Sequence, residues 1–175
     1  MANVLYISYD GLTDPLGQSQ IIPYVKGLTQ KGHVFTILSC EKKNRFNSGY
    51  KEIAQSFTKL GIDWKIVMYH KKPPVLSTVF DVYMMMQIAV KLTKEKKIDV
   101  VHCRSYVSSL IGLHLKNKFG LKFIFDMRGF WPDEKIEGGS WNRGPLYRSV
   151  KQIERALFSS ADMVVSLTES GKREL

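Results

Sequence analysis

The chain has 175 residues, 44% of them hydrophobic and 24% charged. Such a length fits one domain, which buries roughly two thirds of the surface its unfolded chain exposes and needs no disulfide or metal staple. The composition excludes a disordered tail, a collagen-like fibre and a disulfide scaffold. Twenty-six Lys and Arg against sixteen Asp and Glu leave a charge of +10, which attracts phosphates, nucleic acid or acidic lipid headgroups without choosing among them.

Asn3 to Tyr9 is a run of aliphatic and aromatic residues that reads as a buried strand. After it, Asp10-Gly-Leu-Thr-Asp-Pro-Leu-Gly-Gln-Ser-Gln20 leads into a helix with the stripe Ile21, Ile22, Val25, Leu28 and Thr29. The spacing Gly11-x5-Gly17 is neither the dinucleotide fingerprint nor a Walker A loop. Gly17 could bring backbone N–H groups to a phosphate at the helix start, or could simply serve a turn. Val34 to Leu38 is the second strand, followed by the basic residues Lys42, Lys43 and Arg45. Trp64 to Met68 is the third, followed by Lys71, Lys72, Pro73 and Pro74. Both basic runs are phosphate or membrane-surface candidates or else solvated loops.

From Val79 to Lys97 the pattern predicts a helix that buries Val79, Val82, Tyr83, Met86 and Val90. Its other face would carry Gln87, Lys91, Lys94 and Glu95, and would also expose Phe80 and Met84. The apolar run Val79 to Val90 is too short for a bilayer span, which needs about 20 residues. With no secretory signal at Met1-Ala2-Asn3, the expectation is a cytoplasmic protein. Val100 to His102 is the fourth strand, and Val107, Leu110, Ile111 and His114 form the stripe of the next helix, with His114 in the core. Phe123 to Phe125 is the fifth strand. Met127 to Pro145 carries four Gly, two Pro and two Trp and reads as one long irregular segment. Leu146, Val150, Ile153 and Leu157 predict a further helix, opposite Arg148, Lys151, Gln152 and Arg155. Met163 to Leu167 is the sixth strand. Thr168 then caps a helix with Glu169 in its first turn, and the chain reads as stopping inside that helix. Gly32, Gly61 and Gly120 stand where helices should end.

Short strands alternating with helices predict an α/β fold: a Rossmann-like, doubly wound parallel sheet of about six or seven strands with helices on both faces. In the strand order 3-2-1-4-5, the first strand separates Cys40 from Cys103 by about 9–10 Å. They are expected to be free thiols. Ligands of such sheets bind at the carboxyl ends of the strands, near the switch point. That rule selects His102-Cys-Arg-Ser105 and Asp126-Met-Arg-Gly-Phe-Trp-Pro-Asp-Glu134. Arg104 and Arg128 suit phosphate or carboxylate, and Asp126 could accept a proton from an attacking hydroxyl. Asp126 with Arg128 could equally be a structural ion pair, and His102 a near-core histidine. Trp131 could stack on a sugar or plug the loop, and Trp141 reads as a plug. No group has metal-ligand spacing.

Several segments, in order, resemble glycosyltransferase family 4. They are Val4-Leu-Tyr-Ile-Ser8, Asp14-Pro-Leu-Gly-Gln-Ser-Gln20, Val101-His-Cys-Arg-Ser105 and Phe125-Asp-Met-Arg-Gly-Phe-Trp131. Ile153-Glu-Arg-Ala-Leu157, Ala161-Asp-Met-Val-Val-Ser166 and Thr168-Glu169 complete the series. The resemblance implies the GT-B fold, in which two Rossmann-like domains face each other across a cleft. Residues 1–175 would be the N-terminal, acceptor-side domain, and the C-terminal nucleotide-sugar domain would be absent from this chain. It further implies a retaining transfer of sugar from a nucleotide-sugar, without a metal or other cofactor, to a glycan or lipid-linked acceptor in surface polysaccharide synthesis. Gly17 and Gln18 would face the donor phosphates. Asp126 would be catalytic. Asp14, His102, Arg104, Ser105, Arg128, Gly129, Trp131, Glu134, Thr168 and Glu169 would line the acceptor side.

Two departures stand out. No two Glu residues are separated by seven others, as the family's donor motif requires, and Phe125 and Asp126 stand where many relatives carry a histidine. This domain alone is expected to be inactive. The alternative is a non-catalytic α/β module binding nucleic acid or an acidic membrane surface. The basic residues are scattered and no nucleic-acid motif is present, so nucleic acid is not the expected partner. Peripheral contact with the inner face of the cell membrane, through Phe80, Met84 and flanking lysines, is compatible with either reading.

Overall fold

The computed structural model describes residues 1–73 and 75–173. Pro74, from the second basic run, and Glu174 and Leu175, on which the expected terminal helix partly falls, lie outside them. Six strands form one sheet: β1 (Asn3–Ser8), β2 (Val34–Glu41), β3 (Asp63–Met68), β4 (Val100–Arg104), β5 (Lys122–Asp126) and β6 (Met163–Val165). Their order is β3-β2-β1-β4-β5-β6 and every pairing is parallel. The switch point therefore lies between β1 and β4, as the sequence predicts.

The helices are α1 (Ile22–Gln30), α2 (Lys43–Leu60), α3 (Leu76–Glu95), α4 (Ser105–Phe119), α5 (Trp131–Glu137), α6 (Pro145–Ser160) and α7 (Glu169–Arg173). A π-helical turn, Gly17–Ile21, feeds α1. One face of the sheet packs Tyr6, Phe35 and Ile37 against Val25 of α1 and Phe57 of α2. The other packs Ile7, Leu38 and Phe123 against Met85 of α3, Ile111 of α4 and Leu157 of α6. Gly61 and Gly120 end α2 and α4 in the left-handed conformation, which costs a residue without Cβ nothing. Cys40 and Cys103 are buried free thiols, and burial pushes both thiols up.

Three expectations about helices need correction. α3 buries Ser77, Asp81, Met85, Ala89 and Leu92, whereas Val79 (61% exposed) and Tyr83 (58% exposed) face out with Phe80 and Met84. The buried carboxylate of Asp81 sets this rotation. It accepts hydrogen bonds from the His70 backbone N–H (3.0 Å) and the Tyr9 hydroxyl (3.2 Å), and lies 2.6 Å from His70 Nδ1. α6 is rotated for a similar reason. Glu154 is buried because it accepts a hydrogen bond from the Tyr106 hydroxyl at 2.6 Å, and Leu146 and Ile153 are left exposed. In α4 the buried residues are Tyr106, Ser108, Ser109, Ile111, Gly112 and Leu115. His114, expected in the core, is exposed. The segment after β5 is also more ordered than its Gly and Pro content implies. Pro132 opens α5 in the first turn, where its missing N–H costs no bond.

Candidate active site

Strand register builds the site. Ser8 of β1 pairs with Arg104 of β4, and Arg104 with Asp126 of β5. Side chains alternate across a strand, so Tyr6, His102, Arg104 and Asp126 all point to the face covered by α1. There the π-helical turn presents Gln20, and α1 presents Tyr24.

The resulting cluster is closely linked. Arg104 Nη2 donates to Gln20 Oε1 at 2.7 Å, and Arg128 Nη2 donates to the same oxygen at 2.5 Å. Arg128 Nη1 donates to Asp126 Oδ1 at 3.3 Å. Arg104 lies 3.5 Å from Asp10 and 3.9 Å from Asp126. His102 lies against Tyr6 with the rings tilted, 4.7 Å between centroids, and meets Tyr24 edge-on at 5.5 Å. Its Nε2 is buried without a hydrogen-bond partner, 3.7 Å from Asp126 Oδ2. Burial pushes the Asp126 carboxyl up, but His102, Arg128 and Arg104 together hold it below the usual carboxylate range. Burial and then the charge of Asp126 push the Tyr6 and Tyr24 phenols up.

A second space opens beside the cluster. A cavity of about 770 Å³ is lined by Arg128, Gly129, Phe130, Asp133, Glu134 and Thr168, among others. That volume suits a small ligand. Two of its lining residues, Asp133 and Lys151, belong to a polar network: Glu154 binds Tyr106 and Lys151, Lys151 donates to Asp133 at 2.9 Å, and Asp133 accepts from Tyr147 at 2.7 Å.

The loop after β1 is clamped by a carboxylate that sequence reading passed over. Glu41, fully buried at the end of β2, accepts from Leu12 N (2.6 Å), Thr13 N (3.2 Å), Thr13 Oγ1 (2.6 Å) and Ser39 Oγ (2.6 Å). Gly17 packs on the same loop. A Cβ there would run into the Gly11 carbonyl oxygen and lie 2.5 Å from Leu12 Cα.

Residues 23–175 match the glycosyl transferase 4-like domain family. The chain belongs to that family. Among solved structures, this glycosyl transferase 4-like domain resembles the calicheamicin glycosyltransferase CalG4 (TM-score 0.56, 14% identity), covering 85% of this chain and 40% of that one. It resembles MurG from Acinetobacter baumannii (TM-score 0.56, 12% identity) over 96% of this chain and 42% of that one. It resembles UGT2 from Phytolacca americana (TM-score 0.53, 8% identity) over 74% and 30%. Identities this low establish the fold alone: the Rossmann-like domain of GT-B enzymes. The chain spans about two fifths of the length of the first of these relatives. No curated protein matches.

Within this family member, His102, Arg104, Asp126 and Arg128 converge, and Arg128, Gly129, Glu134 and Thr168 line the adjoining cavity. Other expected site residues lie elsewhere. Asp14 is buried on the β2 side of the loop, paired with Lys42 (2.8 Å) and Arg45 (3.1 Å), which accounts for the first basic run. Gln18 donates to Thr13 O at 3.1 Å and so serves its own loop. Ser105 opens α4 with a φ of 66°, joining strand to helix without a linker; such strain gathers at functional edges. Trp131 packs on Tyr106 and Trp141, a plug as Trp141 was expected to be. Thr168 caps α7, its Oγ1 accepting from Gly171 N at 3.0 Å, and Glu169 follows in the first turn. Asp10, Gln20 and Glu41 are the residues missed. A carboxylate at the end of a buried strand, as at Glu41, was the available signal.

Proposed function

We propose that this chain is the acceptor-side domain of a retaining glycosyltransferase that moves a sugar from a nucleotide-sugar to a glycan or lipid-linked acceptor in surface polysaccharide synthesis. Family membership over residues 23–175 carries the reading. The convergence of Asp126, Arg104, Arg128 and His102 at the switch point supports it, because ligands of open parallel sheets bind there. The acceptor enters the cavity beside Arg128, Gly129, Glu134 and Thr168. Its hydroxyl donates to Asp126, whose carboxylate, held ionised by its cationic neighbours, is a weak base and orients the nucleophile more than it deprotonates it. A second, nucleotide-sugar-binding domain completes the site, and no metal or other cofactor takes part.

The test is transfer from labelled nucleotide-sugars to lipid-linked acceptors by this chain alone and by the same chain extended with the following coding sequence. Transfer is expected only from the extended form, and Asp126→Asn should slow it by about 100-fold or more. Turnover by residues 1–175 alone at ordinary enzyme rates would overturn the reading as a half-site.

An exposed apolar face favours a membrane-bound acceptor. Val75, Leu76, Val79, Phe80, Tyr83 and Met84 lie exposed at the start of α3, next to exposed Lys71 and Lys72. No helix among the described residues is long and apolar enough to cross a membrane, so this contact would be peripheral. Nothing comparable favours nucleic acid. Lys96 is paired with Asp63, and Lys116 and Lys122 with Asp162, so these basic residues form no stripe along which a phosphate backbone could run.

A further inference from the structure

Two guanidinium groups share one neutral oxygen at the switch point. Arg104 Nη2 and Arg128 Nη2 lie 2.7 and 2.5 Å from Gln20 Oε1. A guanidinium presents five donors in a rigid fork whose preferred partner is a bidentate anion. Neither arginine has such a partner here. Asp10 reaches Arg104 Nε only at 3.5 Å, and Asp126 reaches Arg104 Nη1 only at 3.9 Å. The single closer approach is one contact, Asp126 Oδ1 to Arg128 Nη1 at 3.3 Å. An amide oxygen is neutral and leaves the charge of both cations uncompensated.

The exposure of the three residues is graded. The Arg104 side chain is 4% exposed and fixed by the sheet. That of Arg128 is 23% exposed and borders the 770 Å³ cavity. Gln20 is exposed and sits in the π-helical turn, away from the regular register of α1. Its exposed side chain can therefore be replaced at the arginines without disturbing the sheet.

We propose that Arg104 and Arg128 form an oxyanion subsite for a phosphate or carboxylate group of the substrate, and that the Gln20 amide oxygen occupies the subsite until that group displaces it. Exchange replaces a neutral acceptor by an anion, which adds direct charge attraction and can meet the guanidinium forks with two oxygens instead of one. The net charge of +10 favours arrival of the anion. The anion belongs either to the acceptor or to the donor diphosphate; this last point alone rests on the glycosyl-transfer reading.

The experiment is titration of the chain with inorganic phosphate, followed by amide NMR shifts and thermal melts at constant ionic strength. Saturable binding in the millimolar range is expected, with shifts at Gln20 and along the β4 and β5 ends. Arg128→Gln should weaken it by about tenfold or more, the scale of one lost charge-assisted bond. Gln20→Glu places a tethered carboxylate between the guanidiniums. It should abolish phosphate binding and raise Tm by a few degrees, a shift that a merely damaged fold would not give. Uridine diphosphate that competes with phosphate assigns the anion to the donor, and phosphate that binds alongside it assigns the anion to the acceptor. Absence of saturable binding, equal binding by Arg128→Gln, or a lowered Tm in Gln20→Glu would each overturn the proposal. Intact phosphate binding by this chain, with no transfer by the extended form, would overturn the enzymatic reading and leave the subsite standing.

Discussion

Asp126 owes its environment to register. Its neighbours on β4, Arg104 and His102, and just beyond its own strand, Arg128, are cations or a histidine, and the face that the strand residues share is set by the alternation of side chains. Because the folded state holds this carboxyl below its usual range, ionisation favours folding. That contribution is fully present above the unfolded aspartate value of about 3.9 and is lost as pH falls through the lower folded value. Urea melts of wild type and Asp126→Asn should therefore differ most at neutral pH and converge in acid below about pH 4. A constant gap across that range would show that the charge of Asp126 contributes nothing to the fold. In the extended enzyme the same variant should lose about 100-fold or more in transfer rate, the scale of one misplaced polar group at a reacting centre. Arg104 and Asp126 were legible from the sequence because strand ends are. Gln20 was quoted in its loop but not selected. Its meaning comes from two arginines more than eighty residues away, and no local pattern encodes that pairing.

At the scale of elements, the strands and their order could be read directly, because a run of β-branched and aromatic residues records burial on both sides. Helix faces could not. α3 and α6 each bury a carboxylate, Asp81 and Glu154, so a polar residue marks the inside while Val79 and Tyr83 of one apolar stripe and Leu146 and Ile153 of the other are left out. Hydrophobic periodicity assumes the opposite. The same blindness hid Glu41, a strand-end carboxylate whose partners lie in the loop after β1. Glu41→Ala would leave the N–H groups of Leu12 and Thr13 and two hydroxyls without their acceptor. Each abandoned buried donor costs about 1–3 kcal/mol, so denaturant titration should register a loss of at least about 3 kcal/mol. Glu41→Gln keeps one oxygen acceptor but replaces the other by an amide that donates, so it should fall between. If Glu41→Ala unfolds at the wild-type midpoint, the loop is held by Asp14 with Lys42 and Arg45 instead.

Over the whole molecule, the candidate site and the apolar face lie at one end. α3 begins just after the carboxyl end of β3, and Tyr9, just beyond β1, reaches across to Asp81 on α3. A membrane lying on the start of α3 would thus bring a lipid-linked acceptor to the edge where Arg104 and Asp126 converge. Val79, Phe80 and Tyr83 are each about half exposed or more, so changing all three to Ser should cost little stability, within about 0.5 kcal/mol each. The triple variant should nonetheless release the protein from anionic vesicles in co-sedimentation. Lys71→Glu with Lys72→Glu should weaken binding by about 1 kcal/mol or more per residue, roughly fivefold each, and more at low salt. Unchanged sedimentation of the triple variant would mean that the start of α3 meets protein, not lipid. A loss caused by the lysine changes alone would describe a purely electrostatic attachment, with the apolar face left outside it.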